Sequence, residues 1–208
     1  MGGESRAGCS LMPKIVDHDL QRETFAEAAI RLIARNGLEG VTMRAVASES
    51  GLSYGSLFHY FASKEELLMH AVSTSIAKQT RRLNEYSNQY AGLEALEHLL
   101  CDDAVTKESS RDNALVWITF QYQAALRKSF GEMNAVLVGG WQERIRALLK
   151  EAKSAGEISE SIDTQIEASA LWAYSSGIGQ VGILHPDAFP PARQKALITN
   201  YLDKLRAS

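Results

Sequence analysis

A chain of 208 residues with 45% hydrophobic and 23% charged content can bury one large core, or one core with a small satellite domain, which excludes disorder over most of its length. The net charge of -3 supplies no basic footprint, an objection to nucleic-acid binding that has to be answered region by region. The two cysteines, Cys9 and Cys101, match no metal or redox spacing, and no charged segment followed by an apolar run opens the chain, so a reduced, cytoplasmic protein without a secretion signal is expected.

Residues 1–14, MGGESRAGCSLMPK, are small, polar and aperiodic and read as a disordered tail, with Met12 a candidate natural start. From Asp17 the pattern becomes helical. Phe25, Ala28, Ala29, Leu32 and Ile33 recur at helical spacing, Asp17 and Asp19 suit the positive end of the dipole, and Asn36-Gly37 stops the helix. The stretch from Thr42 to Phe61, TMRAVASESGLSYGSLFHYF, has the spacing of two short helices folded about Gly51, with Val46, Ala47, Leu52, Leu57 and Tyr60 closing a small core. Leu52, Leu57, Phe58 and Phe61 form the apolar side of the second short helix, leaving Ser53, Tyr54, Gly55, Ser56 and His59 to project. Hydroxyls, an aromatic ring and an imidazole suit base edges and phosphates better than a core. The competing reading is an ordinary αα-hairpin inside a helical bundle.

Ser63 can cap the next helix, with Glu66 reaching back to the cap amide, and that helix should run towards Tyr86. Further helices are expected at roughly 91–107, 110–129 and 132–154, the last ended by Gly156. Leu115 to Tyr122, LVWITFQY, has strand-like composition but lies in about twenty residues without turn formers, so it reads as a helix apolar nearly all round and hence central. Helices from Asp163 to Leu184 and from Pro190 to about Arg206 complete the chain, separated at His185-Pro186. The expected fold is all-α, with about nine helices in three parts: the tail, a helix-turn-helix unit over 15–62, and a linker helix plus ligand-binding and dimerisation domain over 63–208.

Local chemistry is otherwise sparse. Gly177 to Gly182 spells G-x-G-x-x-G, but a helical pattern precedes it where a dinucleotide site needs a strand, so close helix packing is the better account. The histidines His18, His59, His70, His98 and His185 show no metal-ligand spacing, and no nucleophile elbow or Walker lysine loop occurs, so no metal, no cofactor and no catalytic residue is expected. The weakly charged run from Ile166 to Leu184 contains Glu167, Gln180, serines and three glycines, a poor composition for a membrane span.

At Phe25 through Leu68 the chain resembles the tetracycline-repressor (TetR) family of transcriptional regulators. The matching residues are Gly37, Val41-Thr42, Ala47, Gly51-Leu52-Ser53, Gly55-Ser56-Leu57, His59-Tyr60-Phe61 and Ser63-Lys64-Glu65-Glu66-Leu67, with Phe58 standing where tyrosine is common. Trp117, Phe120, Trp141 and the run from Leu171 to Leu205 are similar to the BetI-like branch. The resemblance implies a DNA-binding domain of three helices, a linking fourth helix and a helical domain that binds a small molecule and dimerises. By position, it implies that Thr42 and Arg44 contact backbone or nearby bases, that Ser53, Tyr54 and Ser56 face base edges, and that His59, Tyr60 and Lys64 hold phosphates. Gly177, Val181, Leu184, Leu197 and Tyr201 would meet a two-fold axis. Trp117, Phe120, Tyr122, Phe130, Met133, Trp141, Trp172 and Tyr174 are candidates for an apolar effector pocket, against the plainer reading that they are core.

The charge objection can then be met by region. From Lys14 to His70 there are six Lys/Arg (Lys14, Arg22, Arg31, Arg35, Arg44, Lys64) against eight Asp/Glu (Asp17, Asp19, Glu23, Glu27, Glu39, Glu49, Glu65, Glu66). Several of those acids sit at helix starts, and neutral donors can also bind phosphate, so binding with weak non-specific grip is expected. The resulting expectation is a homodimer on a palindromic double-stranded DNA operator, released by an unknown small-molecule effector, with no membrane partner. The rival is a helical carrier or enzyme in which the first four helices are merely structural.

Overall fold

The first helix runs from His18 to Asn36 (α1) and ends where Gly37 takes φ 66°, a left-handed conformation that glycine adopts without a Cβ penalty. The computed structural model describes residues 18–87, 89–104 and 108–206. The tail over 1–14 and Asp17 lie outside the described residues. Among the described residues the remaining regular elements are α2 (Met43–Ser50), α3 (Tyr54–Tyr60), α4 (Lys64–Ser87), α5 (Gly92–Asp103), α6 (Glu108–Leu126), α7 (Lys128–Ser154), α8 (Thr164–Leu184) and α9 (Pro191–Arg206). The fold is all-α, and no described helix is long and apolar enough to cross a membrane.

Two hydrophobic cores organise these helices. The first gathers Phe25, Ala29 and Ile33 of α1, Val46 and Ala47 of α2, Leu57 of α3, Phe61, and Leu67, Leu68, Ala71 and Val72 of α4, then continues into Val116 and Phe120 of α6 and Phe130 of α7. The second joins Leu93, Leu96 and Leu100 of α5 to Ile145 and Leu149 of α7, Leu171 and Ile178 of α8, and Ile198 and Leu202 of α9. α7 spans 27 residues, and α4 spans 24. α7 contributes its first half to one core and its second half to the other.

The expected break between the sixth and seventh helices falls earlier than the sequence suggested. α6 stops at Leu126 and α7 starts at Lys128, with extended Arg127 between them. Gly131 invites a break at that point, yet it sits in the first turn of α7, where a Cβ would come 3.1 Å from the Ala124 carbonyl oxygen. It permits α7 to fold tightly back over the end of α6. α6 is also less central than expected: Val116, Phe120 and Gln123 are buried, but Tyr122 and Leu126 are 63% and 64% exposed. At α4, Ser63 Oγ accepts from Glu66 N at 3.1 Å, while the Glu66 carboxylate takes the Ala62 amide at 2.8 Å. The reciprocal cap is present, displaced by one residue from the cap amide the sequence indicated.

The G-x-G-x-x-G run lies inside α8, so it has no strand before it and no helix beginning within it. Its last glycine sets the α8–α9 seam. A Cβ at Gly182 would lie 2.7 Å from Cδ of Gln194, a residue 1% exposed whose Nε2 donates to the Phe189 carbonyl at 2.8 Å. Gly182→Val should therefore cost about 1–3 kcal/mol through overpacking. A urea titration checks this; an unchanged midpoint would mean that α9 gives way freely.

Candidate functional site

The end of the molecule formed by α1, α2 and α3 is built by local hydrogen bonds. Thr42 caps α2, its Oγ1 accepting from Ala45 N at 3.0 Å, and Gly51 at φ 71° turns the chain into Ser53, which caps α3 by accepting from Ser56 N at 3.0 Å. Each such cap is worth about 1 kcal/mol. Phe25 underlies the pair, in ring contact with Tyr60 at 5.8 Å and Phe61 at 6.4 Å.

Of the residues assigned to DNA contact, Thr42, Arg44, Ser53, Tyr54 and His59 are exposed, Tyr54 by 45%. Ser56 is half-buried, and its hydroxyl donates to the Ser53 carbonyl at 2.7 Å. Tyr60 is half-buried and turned towards α1: its hydroxyl donates to Gln21 Oε1 at 2.9 Å and lies 3.2 Å from His18 Nδ1. The Lys64 ammonium donates to the Leu38 carbonyl at 3.1 Å, keeping further donors for other partners. Phe58 departs from its expected place on the apolar side of α3. It is 49% exposed and meets Tyr54 edge-to-face with ring centroids 5.1 Å apart, because one turn of helix puts residues 54 and 58 on a common face pointing away from Leu57.

Most cations of this region are already engaged. Glu49 bridges Arg31, at 2.9 Å, and Arg35, and these two hydrogen bonds hold its carboxyl below the usual range. The Arg22 guanidinium lies 5.4 Å over the Phe61 ring and 3.6 Å from Glu66. Burial, with Arg22 nearby, keeps the His70 imidazole below its ordinary range beside the same ring. Arg44 stands over the Tyr54 ring at 5.7 Å.

A cavity opens in the body where the two cores meet. Together with the solvent at its open mouth it takes in about 830 Å³ of atom-free space. Val72, Ser75, Ile76 and Gln79 of α4 form one wall, with Asp102 of α5, Asn113, Ala114, Val116, Trp117 and Ile118 of α6, Trp141 of α7, and Trp172, Ser176, Gly179, Gln180 and Ile183 of α8 completing the lining. Of the eight residues assigned to a pocket, Trp117, Trp141 and Trp172 come together here. Phe120 and Phe130 are buried in the first core with Met133 packed against it, Tyr122 faces outward, and Tyr174 packs on Tyr201 with its hydroxyl donating to the Leu197 carbonyl at 3.2 Å.

Asp102 was not singled out from the sequence. It shares the weakly patterned end of α5 with Asp103, and only the packing of α5 against its neighbours places it at the cavity. Cys101, beside it, is half-buried, and burial, followed by Glu97, pushes its thiol up to about 11, so it stays protonated and weakly reactive. Among the described residues no group of three or more His, Cys, Asp or Glu could hold a metal ion.

The residues assigned to a two-fold axis lie along α8 and α9. Gly177 and Leu184 are exposed, the latter by 67%, and Val181 and Leu197 are half-buried. Tyr201 is half-buried within the protomer, donates to Glu167 Oε1 at 2.8 Å, and has its phenol pushed up to about 12 by burial and that carboxylate.

A helix-turn-helix end joined through one long helix to a hollow helical body defines a ligand-responsive DNA-binding regulator. Residues 26–71 match the family of bacterial regulatory proteins known as tetR, and residues 92–207 match the C-terminal region of BetI-type transcriptional repressors. The chain belongs to the TetR family of transcriptional regulators. It is 29% identical to the HTH-type transcriptional regulator PksA of Bacillus subtilis over 195 residues, covering 93% of this chain and 94% of that one. It is 25% identical to the BetI regulator of Vibrio vulnificus over 197 residues, covering 93% and 96%. Its fold is shared with a transcriptional regulator from Saccharomonospora viridis solved in complex with choline, with TM-score 0.81, 21% identity, and 89% and 96% of the two chains covered. These relatives are regulators rather than enzymes.

Proposed function

We propose that the protein is a homodimeric repressor that inserts α3 of each protomer into successive major grooves of a palindromic operator and is released by a small organic cation. Half-sites about 34–36 Å apart suit such a dimer, with α8 and α9 pairing across the two-fold axis. The observation that carries the effector class is the cavity wall: Trp117, Trp141 and Trp172 accompany Asp102, and among the described residues no Lys or Arg lines it. Aromatic faces and a carboxylate favour a cation over an anion, and Asp102 lies in the last turn of α5, where the helix dipole adds negative potential. The choline complex of the Saccharomonospora viridis regulator makes a quaternary ammonium the first probe to try.

The same cavity supplies a route for release. Val72 and Ile76 line it from α4, and that helix begins three residues after Phe61 of the DNA-binding core. The α4 start is also tied to the body through Glu65, which accepts from the Ser129 hydroxyl at 2.5 Å and lies 3.7 Å from Arg127. An effector that prefers one separation of the two cores shifts α4, and operator affinity falls by the effector's preference between the two states.

Gel retardation of the upstream intergenic DNA tests the reading: binding is expected at low salt and should be lost on adding choline. No retardation after removal of co-purified ligand would instead favour a carrier. Retardation indifferent to choline would discard only the effector class. A salt titration in the same assay should give a log-affinity slope of about -4, because Arg44 and Lys64 are the main phosphate cations of each half-site. A slope near -10 would show a much larger electrostatic contact.

A further inference from the structure

We infer that Phe58 is a specificity-determining residue that recognises the 5-methyl group of a thymine in the operator, an inference that rests on the operator-binding reading above. The polar groups expected to reach DNA are partly committed within the protein: of the base readers, the Ser56 hydroxyl to the Ser53 carbonyl and the Ser53 hydroxyl oxygen to the Ser56 amide, and of the phosphate holders, the Tyr60 hydroxyl to α1. What α3 presents outward is an aromatic surface, Tyr54 and Phe58 at 45% and 49% exposure, locked edge-to-face. Its neighbours Leu57 and Phe61 are fully buried, so Phe58 does not belong to the core that they fill.

A phenyl ring has no donor or acceptor and contributes to sequence discrimination only through apolar contact. In the major groove the apolar feature of a base edge is the thymine methyl, which cytosine lacks. The ring is held in advance by Tyr54, itself under the Arg44 guanidinium. Little side-chain freedom then remains to be lost when the methyl docks.

Operator duplexes are first enriched from a random library with the intact protein, and each thymine of the half-site is then replaced singly by deoxyuridine, which removes the methyl and preserves pairing. Wild-type protein should lose about 3- to 10-fold in affinity at one or two positions, the order expected for one buried methyl. Phe58→Ala should lose a similar factor on the thymine operator and be indifferent to deoxyuridine at those positions, whereas Phe58→Leu, which keeps a smaller apolar contact, should show a deoxyuridine effect that is reduced but still present. Thermal melting establishes that both variants fold; if the alanine variant does not, the leucine variant must show a reduced deoxyuridine effect for the inference to stand. Equal affinity for every deoxyuridine duplex, or full deoxyuridine sensitivity in Phe58→Ala, overturns the role of Phe58 while leaving operator binding intact. Failure to enrich any sequence removes operator binding itself, and this inference with it.

Discussion

Phe130→Ala is expected to lower the unfolding free energy by about 3–5 kcal/mol, the range for deleting a buried phenyl ring. Phe130 is 1% exposed, packs on Phe120 at 5.8 Å between ring centroids, and lies in the core that also holds Phe25, Val46 and Leu57. Although it belongs to α7, its loss should therefore reach the DNA-binding end. In a urea titration followed both by tryptophan fluorescence, which reports the body, and by operator binding, the two midpoints should fall together. A fall in fluorescence midpoint with unchanged operator binding would mean that the first core is energetically divided between its α1–α4 and α6–α7 parts.

Asp102→Asn should weaken choline binding by about 2–3 kcal/mol, on the order of 30- to 150-fold, the attraction between two charges about 6–8 Å apart at an effective dielectric constant of about 20. Binding of 3,3-dimethylbutan-1-ol, which replaces the ammonium nitrogen by carbon and carries no charge, should be unaffected. That neutral ligand separates loss of charge from damage to the cavity's shape. Apo operator affinity should also stay unchanged, since Asp102 lies at the α5 end of the cavity, away from α3. Equal loss for both ligands would point to a structural role for Asp102 in holding α5.

The helix order and the helix-turn-helix were legible because their signals are local: a capping Thr42, a glycine at Gly51 and at Gly37, a Ser63–Glu66 pair, and the break at His185-Pro186. The break between α6 and α7 was less legible, because a glycine such as Gly131 can mark either a chain break or a close approach, and only the position of the Ala124 carbonyl distinguishes them. Phe58 misled for a related reason. In a seven-residue helix, apolar identity does not fix orientation, and Leu57 and Phe61 already fill the inward side.

The pocket aromatics show the same limit at longer range. Trp117 and Phe120 lie one turn apart on α6, yet one borders the cavity and the other is buried in the first core. That choice depends on how α6 is rotated against α1, α4 and α8, which no window of sequence contains. Asp102, Gln79 and Gln180 meet at the cavity from three helices, α5, α4 and α8. Their convergence is a product of packing, so composition alone gave no cue to an orienting carboxylate.

The continuity of the first core bears on how such regulators can be recombined. A chimera joined at residue 62 would graft a foreign α1–α3 onto Leu67, Leu68 and Val72 of α4, and onto Val116, Phe120 and Phe130 of the recipient. Those side chains were fitted to Phe25, Ile33 and Leu57, so exchange of operator specificity requires either transferring α4, α6 and the first turns of α7 as well, or changing only outward residues such as Tyr54 and Phe58. The second route leaves the shared core untouched.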